Sequence, residues 1–212
     1  MTFSWMKAWL AGLSVGGILF LFADEWVMTR LIQVLPKVDP SFTGIFLKNS
    51  LASFSTIYLG LAICYLELKV YTGVSDEKYD FLERLTDPLY RLIGTIDSTF
   101  AELKPFFRSC FFYLLFVPSL SLFMNGLIPG FMIFLEPKLL LPHGLVEIPA
   151  MLASAKIAFA IKDEMEGPIR KADMKLLKER MRAGISRGRI TEVMLVQFWL
   201  LMAAYVEVNY AF

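Results

Sequence analysis

Residues 109–135 read SCFFYLLFVPSLSLFMNGLIPGFMIFL, and none of these 27 residues is charged. As one continuous helix they would extend about 40 Å, which exceeds a hydrocarbon core of about 30 Å. Pro118 can kink such a helix, and Asn125-Gly126 followed by Pro129-Gly130 is typical of a helix end. The stretch therefore predicts a membrane-spanning helix over about 109–130, after which the chain turns back.

Four more apolar segments flank this one and predict further spans. Hydrophobic residues make up 57% of the 212-residue chain, more than in an ordinary soluble domain. We expect the first segment to be a span and not a signal peptide, because it runs into charged residues without a small-residue cleavage site. The sequence predicts an all-α polytopic membrane protein, a single membrane domain over 1–212 with about five transmembrane helices at 5–23, 49–66, 109–130, 147–161 and 190–210.

Small and hydroxyl-bearing residues in the spans predict where helices pack. Gly12 and Gly16 form a small-xxx-small pattern, which allows two helix backbones to approach closely in lipid. The second span opens at Asn49. It continues with side chains that suit hydrogen bonds between helices, namely Ser50, Ser53, Ser55 and Thr56.

Two segments outside the spans combine apolar and charged faces. In residues 75–107, large apolar residues recur at steps of three and four, which predicts an amphipathic helix. This helix could cover the bundle, lie on the membrane or pair with another subunit. Residues 163–189 form a basic amphipathic segment with Met174, Leu177 and Met181 on one face. We expect the basic region 162–189 to bind anionic lipid headgroups.

The distribution of basic residues predicts the topology. Summed over alternate connections, 16 lysines and arginines fall on one side of the five spans and four on the other. The positive-inside rule then places the N-terminus and both amphipathic segments in the cytoplasm and the C-terminus outside the cell membrane.

This topology brings polar residues of four segments to one depth. At about 1.5 Å per residue, Asn125 lies about 26 Å from the cytoplasmic end of its span at Arg108, and Glu147 about 22 Å from Lys162. Both therefore fall in the outer half of the membrane. The predicted polar motif cluster comprises Asn49, Asn125, Gly126, Pro142, His143, Gly144, Glu147 and Glu207.

Two interpretations of this cluster follow from its chemistry. In the first it is structural: Pro149 occupies the first turn of the fourth helix, and Glu147 accepts hydrogen bonds from freed backbone groups, from His143 or from Asn125. In the second it is a proton or cation site, with Glu147 titrating, His143 as its relay and Asn125 and Asn49 as neutral ligands. We expect the structural role, because no acidic or histidine residue continues a relay in the inner halves of the spans.

Catalytic, metal and cofactor sites are not predicted. Cys64 and Cys110 lack metal-ligand spacing, and His143 is the one histidine of the chain. No nucleophile with a base and an orienting acid can be identified from the spacing. The basic segments are accounted for by topology and lipid, so no nucleic acid is expected.

The motifs resemble a known family. An Asn that opens a span (Asn49), an Asn-Gly with a Gly four residues later, and Pro142-His143-Gly144 followed by Glu147-Ile148-Pro149-Ala150 are similar to the stage II sporulation protein M family of prokaryotic membrane proteins. The resemblance covers roughly residues 40–66 and 108–162, and the insert at 75–107 departs from the family pattern. The founding member acts as a scaffold for cell-wall hydrolases during spore engulfment.

The resemblance implies a non-enzymatic scaffold or assembly factor that organises other membrane or cell-envelope proteins at the cell membrane. We also expect a homo-oligomer. The alternative is a small transporter or channel that uses the Asn, His and Glu cluster. A wet path open to both faces would distinguish the transporter from the scaffold.

Overall fold

The computed structural model describes residues 5–22, 41–73, 103, 105–135 and 137–210. Within them every regular element is a helix, which confirms the predicted all-α fold. The predicted segment 75–107 lies mostly outside the described residues. The helices are α1 (Trp5–Phe22), α2 (Phe42–Phe54, Ser55–Leu59 and Gly60–Gly73 in succession), α3 (Pro105–Leu135), α4 (Pro137–Arg170), α5 (Met174–Ala183) and α6 (Arg187–Tyr210).

Helix α2 begins seven residues before the predicted start at Asn49. The hydroxyl of Ser41 caps it by accepting a hydrogen bond from the Gly44 N–H at 3.1 Å, which satisfies one of the free donors of the first turn. Asn49 consequently lies inside the helix and is 4% exposed. The prediction that Asn49 opens the span was wrong.

Residues Ser55–Leu59 form one π-helical turn in the middle of α2.

Neither Asn125-Gly126 nor Pro149 marks a helix end. Helix α3 continues through Pro118 and Pro129 to Leu135, and α4 runs unbroken from Pro137 to Arg170. The predicted end near residue 130 and start near residue 147 were therefore wrong, as was the assignment of residues 163–189 to one separate segment. The physical reason is that an apolar environment offers the backbone no partner outside a helix, so a proline is accommodated rather than allowed to break it.

Neighbouring helices alternate in direction. Thr56 contacts Ser121 and Glu67 contacts Ser109, so α2 and α3 are antiparallel. Helix α4 returns along α3, with Lys162 beside Phe111. Glu164 pairs with Arg189, and Ser154 and Gln197 meet at Ser53, so α6 is antiparallel to α4. We call the end of the bundle at which α3 meets α4 the motif end, and the end that carries α5 the basic end.

Helix α1 packs against α3 through glycines. A Cβ atom at Gly12 would clash with the Phe123 carbonyl oxygen, and one at Gly126 with the Trp9 carbonyl oxygen. A Cβ atom at Gly130 would clash with the Leu13 carbonyl oxygen in the same way. Because Trp9 lies at Gly126 and Leu13 at Gly130, α1 and α3 run parallel. Backbones come this close only where both surfaces lack side chains.

The largest cluster of buried hydrophobic side chains joins helices α2 to α6 at the basic end. Its fully buried members include Cys64, Cys110, Ile161, Met165 and Leu177. Three helical stretches in the described residues are long and apolar enough to cross a membrane, Phe42–Val70, Phe106–Leu127 and Arg187–Asn209, and Lys7–Leu21 is a shorter apolar helix. The chain thus has the fold of an all-α membrane protein.

Candidate functional site: a hydrogen-bonded layer between four helices

A group of three polar side chains joins α2, α4 and α6. The hydroxyls of Ser53 and Ser154 are 2.8 Å apart, and Gln197 Nε2 donates to Ser53 Oγ at 3.1 Å. Ser154 also donates to the Ala150 carbonyl oxygen at 2.9 Å. Both serines are fully buried. Ser53 is therefore the point at which three helices are linked.

A second group joins α2 to α3 one turn further along α2. Thr56 Oγ1 donates to the Ala52 carbonyl oxygen at 2.8 Å and lies 2.5 Å from Ser121 Oγ. Asn125 Nδ2 donates to the Ser121 carbonyl oxygen at 2.8 Å and lies 3.4 Å from Ser121 Oγ. Thr56 belongs to the π-helical turn, a geometry that is frequent at functional sites.

These two groups form one polar layer of neutral side chains, made of Ser53, Thr56, Ser121, Asn125, Ser154 and Gln197. The prediction that Ser53 and Thr56 bond between helices is confirmed. Ser121, Ser154 and Gln197 were missed, although a polar residue inside an apolar span is itself a signal of helix contact. Two buried atoms at this level, Ser50 Oγ and Gln197 Oε1, have no hydrogen-bond partner among the described residues.

The predicted cluster residues fall in the half of the bundle toward the motif end. Asn49 lies one turn from Ser53, and Asn125 one turn from Ser121, both on the motif-end side. In the described part of the chain, both hydrogen bonds that Asn125 Nδ2 donates go to Ser121. Gly126 serves the helix contact with α1.

The remaining members of the predicted cluster lie on α4 and α6. Glu147 is half-buried and is the eleventh residue of α4, so it does not cap a helix start as predicted. Pro142, His143 and Gly144 belong to the first part of α4, and their surroundings lie outside the described side chains. Glu207 is half-buried in the last turn of α6.

Ion pairs at the basic end lie mainly within α4, and the Arg189–Glu164 pair joins α4 to α6. Lys162 donates to Glu166 at 2.7 Å and to Asp163 at 3.0 Å, and Arg170 pairs with Glu166 at 2.7 Å. Burial lowers the pKa of Lys162, but hydrogen bonds to Glu166 and Asp163 outweigh burial and raise it above its ordinary value. Burial correspondingly raises the pKa of Glu166, and its two cationic partners outweigh burial and lower it.

Helix α5 lies against the basic end with its apolar face inward. Asp173 caps it by accepting from the Leu176 N–H at 2.9 Å. Leu177 and Met181 are buried in the main core, and Met174 packs against it. The basic residues of α5 remain exposed. The apolar face that was expected at the membrane is therefore used within the molecule.

No group of three or more His, Cys, Asp or Glu side chains in the described part of the chain is arranged to hold a metal ion. The polar layer itself offers hydroxyl and amide groups. These groups accept and donate hydrogen bonds but do not change charge near neutral pH.

The fold and the polar layer together define the class of this protein. It is an all-α membrane protein whose helices are joined by internal hydrogen bonds. The family model for stage II sporulation protein M matches residues 101–211, more than half of the chain. The chain belongs to that family. The match includes Asn125-Gly126 and the Pro142-to-Glu147 motif and does not extend to Asn49. Comparison with the curated proteins and with the solved structures gives no match.

Proposed function

We propose that this protein is a non-enzymatic scaffold that spans the cell membrane five times and holds partner proteins there. Its N-terminus is cytoplasmic and its C-terminus external, as the excess of basic residues on one side favours. The observation that carries the proposal is the chemistry of the polar layer. The groups that meet in the middle of the bundle are neutral and bond to one another.

A transporter would use such a layer differently. Groups that carry protons or cations through a membrane are usually ionisable side chains that face a water-filled path. Here Ser53, Ser154 and Thr56 are all less than 3% exposed, and each has a partner on another helix. A layer whose central hydroxyls are buried and bonded between helices suits a rigid body that presents its outer surface to partners.

Helix α6 offers such an outer surface. Leu195, Phe198, Met202 and Tyr205 follow one another at steps of three and four, and their exposures are 65%, 62%, 44% and 53%. Aromatic residues and methionine are enriched in protein interfaces, and this spacing is that of helix–helix contacts. We assign this face to a second copy of the chain, with other membrane proteins binding to the resulting oligomer.

Photo-crosslinking in intact membranes tests the proposal. A crosslinking residue at position 195, 198 or 202 should give one discrete adduct with the mass of two chains. The same residue at positions 10, 18 and 21 of α1 is the matched control, since Leu10, Ile18 and Leu21 are exposed to a similar degree. Equal crosslinking from both helices would remove α6 as the interface.

Reconstitution in liposomes tests the alternative. We expect the wild-type protein to carry no proton or cation flux above that of liposomes without protein. A flux that Glu147→Gln abolishes would replace the scaffold by the transporter, with the cluster as its path.

A further inference from the structure

A long cleft lies between α2, α5 and the start of α6. Its volume is about 830 Å³, within the range of small-molecule sites. The walls are almost entirely apolar. They are formed mainly by Phe54, Leu61, Tyr65, Met181, Val193 and Met194.

Among the described residues, the charged side chains that line the cleft are all cations, and they come from elements at the basic end. Lys69 is near the end of α2, and Lys178 and Arg182 are one turn apart on α5. Among the described residues no ion pair engages Lys178 or Arg182. This contrasts with Lys162, Arg170 and Arg189, each of which has a carboxylate partner.

The cleft has the length of one membrane leaflet. From Lys69 to Phe54 is 15 residues, or about 22 Å of helix. Half of a bilayer including its headgroups is also about 20–22 Å thick. Phe54 and Met194 close the deep end of the cleft beside the polar layer, since Phe54 follows Ser53 and Met194 lies three residues before Gln197. With the polar layer placed at the middle of the membrane, this length puts the cations at headgroup level and the apolar walls at acyl-chain level.

We propose that this cleft binds one anionic phospholipid, with its phosphate on Lys178 and Arg182 and an acyl chain along the apolar walls. The cations favour an anionic ligand. The long apolar walls favour a lipid over a free phosphate, because only a lipid has an acyl chain that can lie along them. This site is independent of the scaffold proposal. It also differs from diffuse attraction of anionic lipid to the basic region 162–189, because it requires the cleft.

The test measures lipid retained by the purified full-length protein. Protein in non-ionic detergent is titrated with phosphatidylglycerol or phosphatidylcholine, and bound lipid is counted by native mass spectrometry. We expect one phosphatidylglycerol to be retained, with a rise in the thermal unfolding midpoint. The double variant K178Q/R182Q should weaken retention by roughly twenty-fivefold, since each cation near an anionic headgroup contributes about fivefold. Soluble glycerol phosphate should not compete.

Two matched controls separate the cleft from surface charge and from general damage. K175Q/R180Q removes the same charge from exposed positions of α5 that do not line the cleft, and should retain lipid as the wild type does. Ala62→Trp fills the cleft from an exposed wall position without changing charge and should abolish retention. Ala52 is an exposed residue of the same helix that does not line the cleft, so Ala52→Trp should leave lipid retention unchanged.

Three results would overturn the proposal. Equal losses in both charge-removal variants would mean that lipid is held by surface charge alone. Unchanged retention in Ala62→Trp would mean that the acyl chain lies elsewhere. Efficient disulfide crosslinking of a cysteine at position 62 to one in residues 75–107, unaffected by added phosphatidylglycerol, would mean that the chain's own segment fills the cleft.

Discussion

Ser53 carries more of the helix contacts than any other side chain of the polar layer. Its hydroxyl meets Ser154 on α4 and Gln197 on α6. Hydrogen bonds between membrane helices contribute on average about 0.6 kcal/mol each, because the unfolded chain in lipid also finds partners. The stabilisation is therefore modest, but it fixes which residues of three helices lie side by side.

Ser53→Ala should lower the free energy of unfolding by about 1 kcal/mol, because two hydrogen bonds are lost and the Gln197 amide loses its partner. Gln197→Leu should cost less, since it also removes Oε1, which is buried without a partner among the described residues. Reversible unfolding in mixed micelles measures both variants. Ser55→Ala, at an exposed hydroxyl of the same helix, is the control.

The double variant S53A/Q197L separates the contribution of the Gln197–Ser53 hydrogen bond from other effects of the two substitutions. We expect a coupling energy of about 0.5 kcal/mol or more between the two positions. Strict additivity would mean that the Gln197–Ser53 contact does not stabilise the fold.

At the scale of elements, the contact between α1 and α3 depends on the absence of side chains. Gly12, Gly126 and Gly130 each face a carbonyl of the opposite helix, so an added Cβ meets backbone that cannot rotate away. Helix α1 contains no polar member of the layer. Its attachment therefore rests on close packing.

Gly126→Ala should destabilise the protein by about 1–3 kcal/mol, because the two helices must separate to admit the methyl group. Gly167→Ala in α4 is the matched control, as nothing lies within 4 Å of an added Cβ there. It should stabilise by about 0.5–1 kcal/mol, since alanine favours a helix interior over glycine. Thermal unfolding in nanodiscs measures both. Equal shifts in the two variants would contradict the glycine contact.

At the scale of the whole molecule, the alternating helix directions place the start of α1 and the end of α6 at opposite ends of the bundle. Helix α1 is parallel to α3, and α3 and α6 both run antiparallel to α4. The basic end holds α5 and its exposed cations, so the asymmetry of charge that is visible in the sequence is also an asymmetry of the fold.

Cysteine labelling in intact cells gives the absolute orientation. Cysteine at Ser186, at the basic end, should react only after the membrane is permeabilised. Cysteine at Thr43, at the motif end, should react with an impermeant reagent from outside. Cys64 and Cys110 are both buried, so background labelling should be low. The reverse pattern would place the basic end outside the cell and contradict the positive-inside assignment.

The sequence by itself determined the class of the fold, the family and the regions that pack. Charge-free runs of about 20 residues require helices, because an apolar solvent leaves the backbone no other partner. The Asn-Gly and Pro-His-Gly motifs indicated the family, and the serines of the second span indicated hydrogen bonds between helices. These properties depend on local composition and spacing, which a sequence records directly.

Only the tertiary structure decided which partners the polar residues of the spans bond. Asn125 was one candidate donor to Glu147, and the structure shows it donating to Ser121; Pro149 was expected to begin a helix and lies inside one. Ser154 and Gln197 meet Ser53 from 101 and 144 residues away, which no local pattern encodes. The rotation of each helix about its axis selects these partners. That rotation follows from packing of the whole bundle, including the glycine contact of α1, because each helix must bury its polar and small residues at the same time.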